Sequence, residues 1–166
     1  MTADRGDVTG PSGVEIERKF LVEQLPADLE AYPNGEIEQG YVALDGGVEV
    51  RVRRYGGQAF LTIKSGGDRE RLEEEFEIDP RRFRALWSLT EGRRIEKTRY
   101  LIPAARELRI ELDVYHGRLA GLLTAEIEFD SPSAAAAFTP PAWFGAEVTD
   151  DPRYKNKQLA IKGPPA

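Results

Sequence analysis

Glu107–Tyr115 reads ELRIELDVY, an unbroken alternation with Leu108, Ile110, Leu112 and Val114 on one side and Glu107, Arg109, Glu111 and Asp113 on the other. Period-2 alternation marks a β-strand whose two faces meet different surroundings. In an ordinary antiparallel sheet the polar face is wet, so one such strand says nothing more.

The same split recurs along the chain. Val48, Val50 and Val52 oppose Glu49, Arg51 and Arg53; Leu61 and Ile63 oppose Thr62 and Lys64; Phe76 and Ile78 oppose Glu75 and Glu77. Tyr100 and Ile102 oppose Lys97 and Arg99, and Ile127 and Phe129 oppose Glu126 and Glu128. The polar positions are mostly acids and bases rather than Ser, Thr or Gln, which is unusual for a surface that only meets water.

About eight segments qualify as strands, near 14–20, 37–44, 48–55, 59–64, 74–78, 95–102, 107–115 and 124–130. Several are joined by Gly-rich turns such as Asp45-Gly46-Gly47 and Gly56-Gly57, which favour antiparallel neighbours. Helical segments are few: 81–90 after Pro80, 133–138 after Pro132, and weaker stretches near 23–31, 117–123 and 155–161. The expected fold is α+β, mostly β: an eight-stranded antiparallel closed β-barrel with a charged interior and a few peripheral helices. It occupies residues 14–162 as one domain, flanked by loose tails at 1–13 and 163–166.

Composition narrows the function. The 166 residues are 40% hydrophobic, enough for a core, and there is no cysteine, which removes disulfides and thiolate metal sites. His116 is the single histidine, so a metal must sit on oxygen ligands. A net charge of −6 argues against a nucleic-acid-coating surface. With no apolar run long enough to span a membrane and no secretory signal, the chain reads as soluble and cytoplasmic.

Charges turned into a barrel cost several kcal/mol each unless they are paired, hydrated or coordinated. Their presence therefore points to a highly charged ligand. Arg51, Arg53, Lys64 and Arg99 suit phosphate oxygens, with Lys97, Arg109 and Arg71 as further cationic candidates. The carboxylates Glu15, Glu17, Glu75, Glu77, Glu111, Asp113, Glu126 and Glu128 are hard ligands suited to Mg²⁺ or Mn²⁺ held jointly with phosphates. Acids and bases in one cavity fit a metal–triphosphate complex.

Val14–Phe20, VEIERKF, carries the Glu-x-Glu-x-Lys pattern of the CYTH, or triphosphate tunnel metalloenzyme, superfamily, and the chain resembles that family along most of 14–161. The resemblance continues in order through QGY at 39–41, VRVRR at 50–54, LTIKSG at 61–66, EFEI at 75–78, EKTRY at 96–100, ELDVYHGRLAGL at 111–122 and EIEF at 126–129. It implies an eight-stranded tunnel that hydrolyses triphosphates or, in one branch, cyclises ATP with a divalent metal. It further implies that Glu15, Glu17, Glu126 and Glu128 hold metal, helped by some of the other acids, while the cations hold phosphates. The chain departs from the pattern at Glu73, where the family often has an Arg, with Arg71 two residues earlier.

The favoured reading is hydrolysis of inorganic tripolyphosphate to pyrophosphate and phosphate, a substrate preference that rests on the resemblance. Lys19 is the expected general base, with Tyr41 orienting it or the water. The rivals are a class IV-type adenylyl cyclase, a nucleoside or thiamine triphosphatase and a non-catalytic polyphosphate-binding module. Ser65-Gly66-Gly67 reads as a β-turn without a P-loop pattern, His116 as structural or at a tunnel mouth, and Trp87 and Trp143 as packing residues. Lys155 in YKN is a further tunnel candidate by resemblance, and a homodimer through the outer barrel wall is compatible with the pattern.

Overall fold

The structure, a computed structural model, describes residues 16–66 and 72–166. Its strands are β1 (Glu17–Val22), β2 (Asn34–Asp45), β3 (Val48–Tyr55), β4 (Gln58–Ser65), β5 (Leu72–Ile78), β6 (Arg94–Pro103), β7 (Arg109–Tyr115), β8 (Leu123–Glu128) and β9 (Phe144–Glu147). Three α-helices accompany them: α1 (Pro80–Trp87), α2 (Pro132–Ala137) and α3 (Asn156–Lys162). The mostly antiparallel β architecture with few helices matches the alternation in the sequence.

The closed eight-stranded barrel is corrected. The strands form one nine-stranded sheet in the order β5-β4-β3-β2-β6-β7-β8-β1-β9, with β5 and β9 at its edges. The extra strand, FGAE, is too short to show a period in sequence. It lies along the edge of β1 that faces away from β8, pairing Phe20 with Glu147 and Val22 with Phe144. Arg18 fixes it there: Nε donates to Glu147 Oε1 at 2.8 Å and one terminal nitrogen to Oε2 at 2.7 Å. The other terminal nitrogen donates to the Ala135 and Phe138 carbonyls, so one side chain ties β1 to β9 and α2. With both edges of β1 taken, β5 has only a four-residue irregular strand to close against.

Register turns the alternation into two faces. On one face Phe20, Ile102, Ile110, Leu112, Ala125 and Ile127 form a buried cluster with Phe129 and Phe144, against which the Ala134, Ala135 and Phe138 side chains at α2 pack. Farther along the same face Val52 and Ala59 pack with Phe83 of α1. Both helices begin where the sequence provides a cap and a proline: Asp79 Oδ1 accepts from the Arg82 N–H and Ser131 Oγ from the Ala134 N–H, with Pro80 and Pro132 opening the first turns.

Gly40 shows why QGY has a glycine between its polar residues. A Cβ there would lie 2.6 Å from the Thr90 side chain, because the turn after α1 presses directly on β2. Two weaker helical expectations shrink to single 3-10 turns, Leu29–Ala31 and Gly117–Leu119. Left-handed backbone at Asp28, Gly117 and Gly121 interrupts them. Among the described residues no helix is long and apolar enough to cross a membrane.

Candidate active site

The opposite face of the sheet collects the charged positions. Cross-strand partners read Glu17 with Glu128, Lys19 with Glu126, Glu126 with Glu111 and Arg99 with Asp113. The series continues through Gln39 with Arg53, Tyr41 with Arg51, Arg51 with Thr62, Thr62 with Glu75 and Lys64 with Glu73. Because alternate residues of a strand share a face, these pairs line one continuous surface.

At its centre Asp113 is fully buried and holds two cations. Lys97 Nζ donates to Oδ2 at 2.6 Å, while Arg99 donates from Nε to Oδ1 at 2.8 Å and from a terminal nitrogen to Oδ2 at 2.9 Å. Burial pushes the Asp113 carboxyl up, but Arg99 and Lys97 together outweigh it and hold it well below the usual carboxylate range. Burial pulls the Lys97 ammonium below the ordinary lysine value, opposed by Asp113 and helped by Arg99. Burial also acts against the Arg99 charge, yet Asp113 and Glu111 keep that guanidinium firmly protonated. Arg99 reaches Glu111 Oε2 at 2.5 Å as well.

Lys19 is buried beside this cluster. Its Nζ lies 2.9 Å from Glu126 Oε1 and donates to the Tyr154 carbonyl at 2.8 Å. For Glu126 burial again opposes ionisation, but Lys19, Lys97 and Arg99 prevail and lower its pKa. Tyr41, 2% exposed, sits inside rather than at a rim, with its hydroxyl accepting from Gln39 Nε2 at 3.2 Å. Burial raises the pKa of Tyr41 and of Tyr115, which Asp113 and Glu126 raise further.

Arg51 and Arg53 stand differently. The Nε of each is buried without a hydrogen-bond partner among the described residues. Arg51 has a long 3.5 Å contact to Thr62 Oγ1, and the Arg53 guanidinium lies 5.6 Å from the Tyr55 ring centroid. Burial and the neighbouring Arg99 and Arg51 charges pull the Arg53 pKa down. Both arginines are partly buried, and each keeps a buried Nε donor to spare, which suits a ligand rich in acceptor oxygens.

The remaining candidates are peripheral. Lys64 is 3.5 Å from Glu73, and Arg109 is half-exposed at 3.9 Å from Glu111. Glu75 accepts from Thr62 Oγ1 at 2.8 Å, and both Glu75 and Glu77 are exposed on the edge strand β5. Glu15 and Arg71 lie outside the described residues. His116 is on the sheet's other side, where its Nε2 is 2.7 Å from Thr98 Oγ1. Since that hydroxyl donates to the acceptor-only Glu36 carboxylate at 2.6 Å, it accepts from His116 Nε2–H.

Among the described residues no three His, Asp or Glu side chains gather tightly enough to hold a metal alone. Asp113 spends both oxygens on cations, and Glu111 and Glu126 are ion-paired. The Glu17–Glu128 cross-strand pair brings two carboxylates together, and Mg²⁺ takes one or two carboxylates and completes its shell with phosphates and water. Sequence reasoning missed Tyr115, Thr124 and the buried Leu159 and Ala160 of α3, whose residue types carry no charge signal.

The CYTH domain profile matches residues 13–140. An inorganic triphosphatase of Nitrosomonas europaea is 49% identical over 152 residues, covering 90% of this chain and 99% of the relative. One from Acetivibrio thermocellus is 38% identical over 158 residues, covering 92% and 96%. The crystal structure of an inorganic triphosphatase superposes with a TM-score of 0.78 at 45% identity, covering 92% of this chain and 97% of that one.

Proposed function

The chain belongs to the CYTH domain family, and on that premise we propose that it is an inorganic triphosphatase, cutting tripolyphosphate to pyrophosphate and phosphate. The observation that carries the reading is the pair of buried, unfilled Arg51 and Arg53 donors beside the Lys97–Arg99–Asp113 cluster. Such a surface is costly to keep unless a polyanion binds it.

In the mechanism, Arg51, Arg53 and Arg99 hold the phosphate oxygens and stabilise the charge that moves to the leaving oxygen as the anhydride breaks. Asp113 fixes Arg99 and Lys97 in place, so no reorganisation is needed when charge develops. Lys97 is a better general base than Lys19. Burial works against its charge, and Arg99 would still neutralise Asp113 once Lys97, which itself donates to that carboxylate at 2.6 Å, gave up a proton, whereas Lys19 is held by two acceptors, Glu126 and the Tyr154 carbonyl. Lys19 then serves as a phosphate ligand, and Tyr41 lines the same wall. A divalent ion, Mg²⁺ or Mn²⁺, would be held by Glu17 and Glu128, with Glu15 as a further candidate by resemblance, and would supply Lewis-acid polarisation of the phosphoryl group.

The test is phosphate release and product analysis with tripolyphosphate and ATP in parallel, with Mg²⁺ or Mn²⁺ and with chelator. Metal-dependent formation of pyrophosphate and phosphate from tripolyphosphate is expected. Cyclic AMP from ATP would instead make the protein a cyclase, and tight tripolyphosphate binding without turnover would make it a binding module.

A further inference from the structure

The helices leave part of the apolar face uncovered. α3 packs on the charged face, where its Leu159 and Ala160 meet Tyr41 and Tyr115. α2 packs on the apolar face against the Phe20 and Ile127 cluster, but between it and the turn from β6 to β7 an open cavity of about 610 Å³ remains. Protein interiors leave few voids larger than a water molecule, so this is no ordinary packing defect, and its size falls within the roughly 300–1,000 Å³ of small-molecule sites.

Its walls differ in kind. Ile102, Leu108 and Ile110, around the β6–β7 turn, form an aliphatic wall, and Tyr32, Phe138 and Trp143 form an aromatic one. The rings are set before any ligand enters: Trp143 stands edge-on to Phe144 with centroids 4.6 Å apart, and Phe138 to Phe129 at 5.5 Å. α2 contributes Ala134 and Ala137, whose methyl groups leave the space open.

Two opposite charges complete the lining. Arg106 and Asp130 border the cavity and are exposed, so they stand at its mouth. They are not paired with each other, and neither has a hydrogen-bond or ion-pair partner among the described residues. Arg106 is also held in left-handed backbone at φ 59°, with Glu107 after it at 60°. Residues other than glycine adopt that conformation at a cost, and such strain gathers at ligand sites. The turn that imposes it is closed by the Ala104 N–H, which donates to the Leu108 carbonyl at 2.8 Å.

We propose that this cavity binds a small apolar zwitterion of the hydrophobic dipeptide type, its side chains between the aliphatic and aromatic walls, its carboxylate on Arg106 and its ammonium on Asp130. The walls gain from apolar area removed from water, and the two charges recognise both ends of the ligand at once. A simple acid would bring an anion up to Asp130, and a simple amine would bring a cation up to Arg106, so each is selected against. Ile102 and Ile110 point to the opposite side of β6 and β7 from Arg99 and Glu111, so the ligand does not compete with a polyphosphate.

Phenylalanyl-leucine, with one aromatic and one aliphatic side chain, is the probe. Trp87, stacked on Phe83 away from the cavity, is replaced by Trp87→Phe so that Trp143 alone reports. The dipeptide should change the Trp143 emission saturably with one site per chain, and calorimetry should give the same affinity. Asp130→Asn, Arg106→Gln, N-acetylation and C-terminal amidation of the dipeptide should each weaken binding about threefold or more, and the amidated form should bind Arg106→Gln and its parent alike. Ala137→Phe, which fills the cavity from an exposed position of α2, should abolish binding, while excess tripolyphosphate should leave it unchanged. No saturable binding, equal affinity for all three forms of the dipeptide, or displacement by tripolyphosphate would each overturn the site, as would full binding in a folded Ala137→Phe variant. A Trp143 emission that shifts with protein concentration before any dipeptide is added would mean that a second copy fills the cavity, and would overturn it too. If Ala137→Phe does not fold, the exposed Arg106→Gln and Asp130→Asn substitutions still decide.

Discussion

Two halves of the charged face solve the problem of buried charge in opposite ways. Across β6, β7, β8 and β1 the cations are locked to carboxylates, with Asp113 serving Lys97 and Arg99, and Glu126 serving Lys19. Across β3 the guanidiniums of Arg51 and Arg53 keep buried nitrogens without protein acceptors among the described residues. The first half is arranged before any ligand arrives. The second is left dependent on one, and the contrast separates positioning from binding.

The largest break in this contrast should come from Asp113→Asn. Removing the anion that buried Lys97 and Arg99 share, which leaves Arg99 with Glu111 alone, is expected to cost about 3–5 kcal/mol of unfolding free energy, read from urea denaturation. A loss below 1 kcal/mol would mean that the paired half is not held together by its charges.

Lys97→Ala comes next. Loss of a general base lowers kcat by about 10²–10⁴-fold, while Lys19→Ala should act mainly through KM. Steady-state kinetics on tripolyphosphate separate the two, and the reverse pattern would return the base to Lys19.

Arg53→Met sharpens the comparison from the other side. It should lower kcat/KM by about 10²-fold, with kcat itself reduced, yet leave the free protein as stable or more stable, because an unfilled buried donor is removed. A change in KM alone would refute the transition-state role, and a drop in melting temperature would show that Arg53 has structural partners after all.

The smallest effect concerns acid. Asp113 and Glu126 have folded pKa values below their ordinary 3.8 and 4.5, so each adds stability above that range and loses it as pH falls through the folded value. Unfolding free energy should therefore decline from about pH 4.5 downward, and Glu126→Gln should flatten the upper part of that decline in denaturation curves taken from pH 3 to 7. Parallel profiles for the variant and the parent would mean that Lys19 does not stabilise the Glu126 carboxylate.

Several elements could be read directly. Segments 48–55, 59–64 and 74–78 coincide with β3, β4 and β5 to within two residues, because strict alternation and Gly turns are local signals. Pro80 and Pro132 announced α1 and α2 equally well. FGAE did not announce β9, since four residues without a period acquire strand character only by lying along β1. Arg18 binds that strand through Glu147, a contact across 129 positions that no local pattern encodes.

By itself the sequence determined that the chain builds strands with one apolar and one charged face, and which residues stand on each, because side-chain direction follows strand period. Only the tertiary structure decided that β9 takes the edge of β1 and leaves the sheet open, that Asp113 is consumed by Lys97 and Arg99, and that α3 covers one end of the charged face. Those outcomes turn on which strands and helices compete for the same edge or surface. Such competition is settled by contacts between residues far apart in the chain.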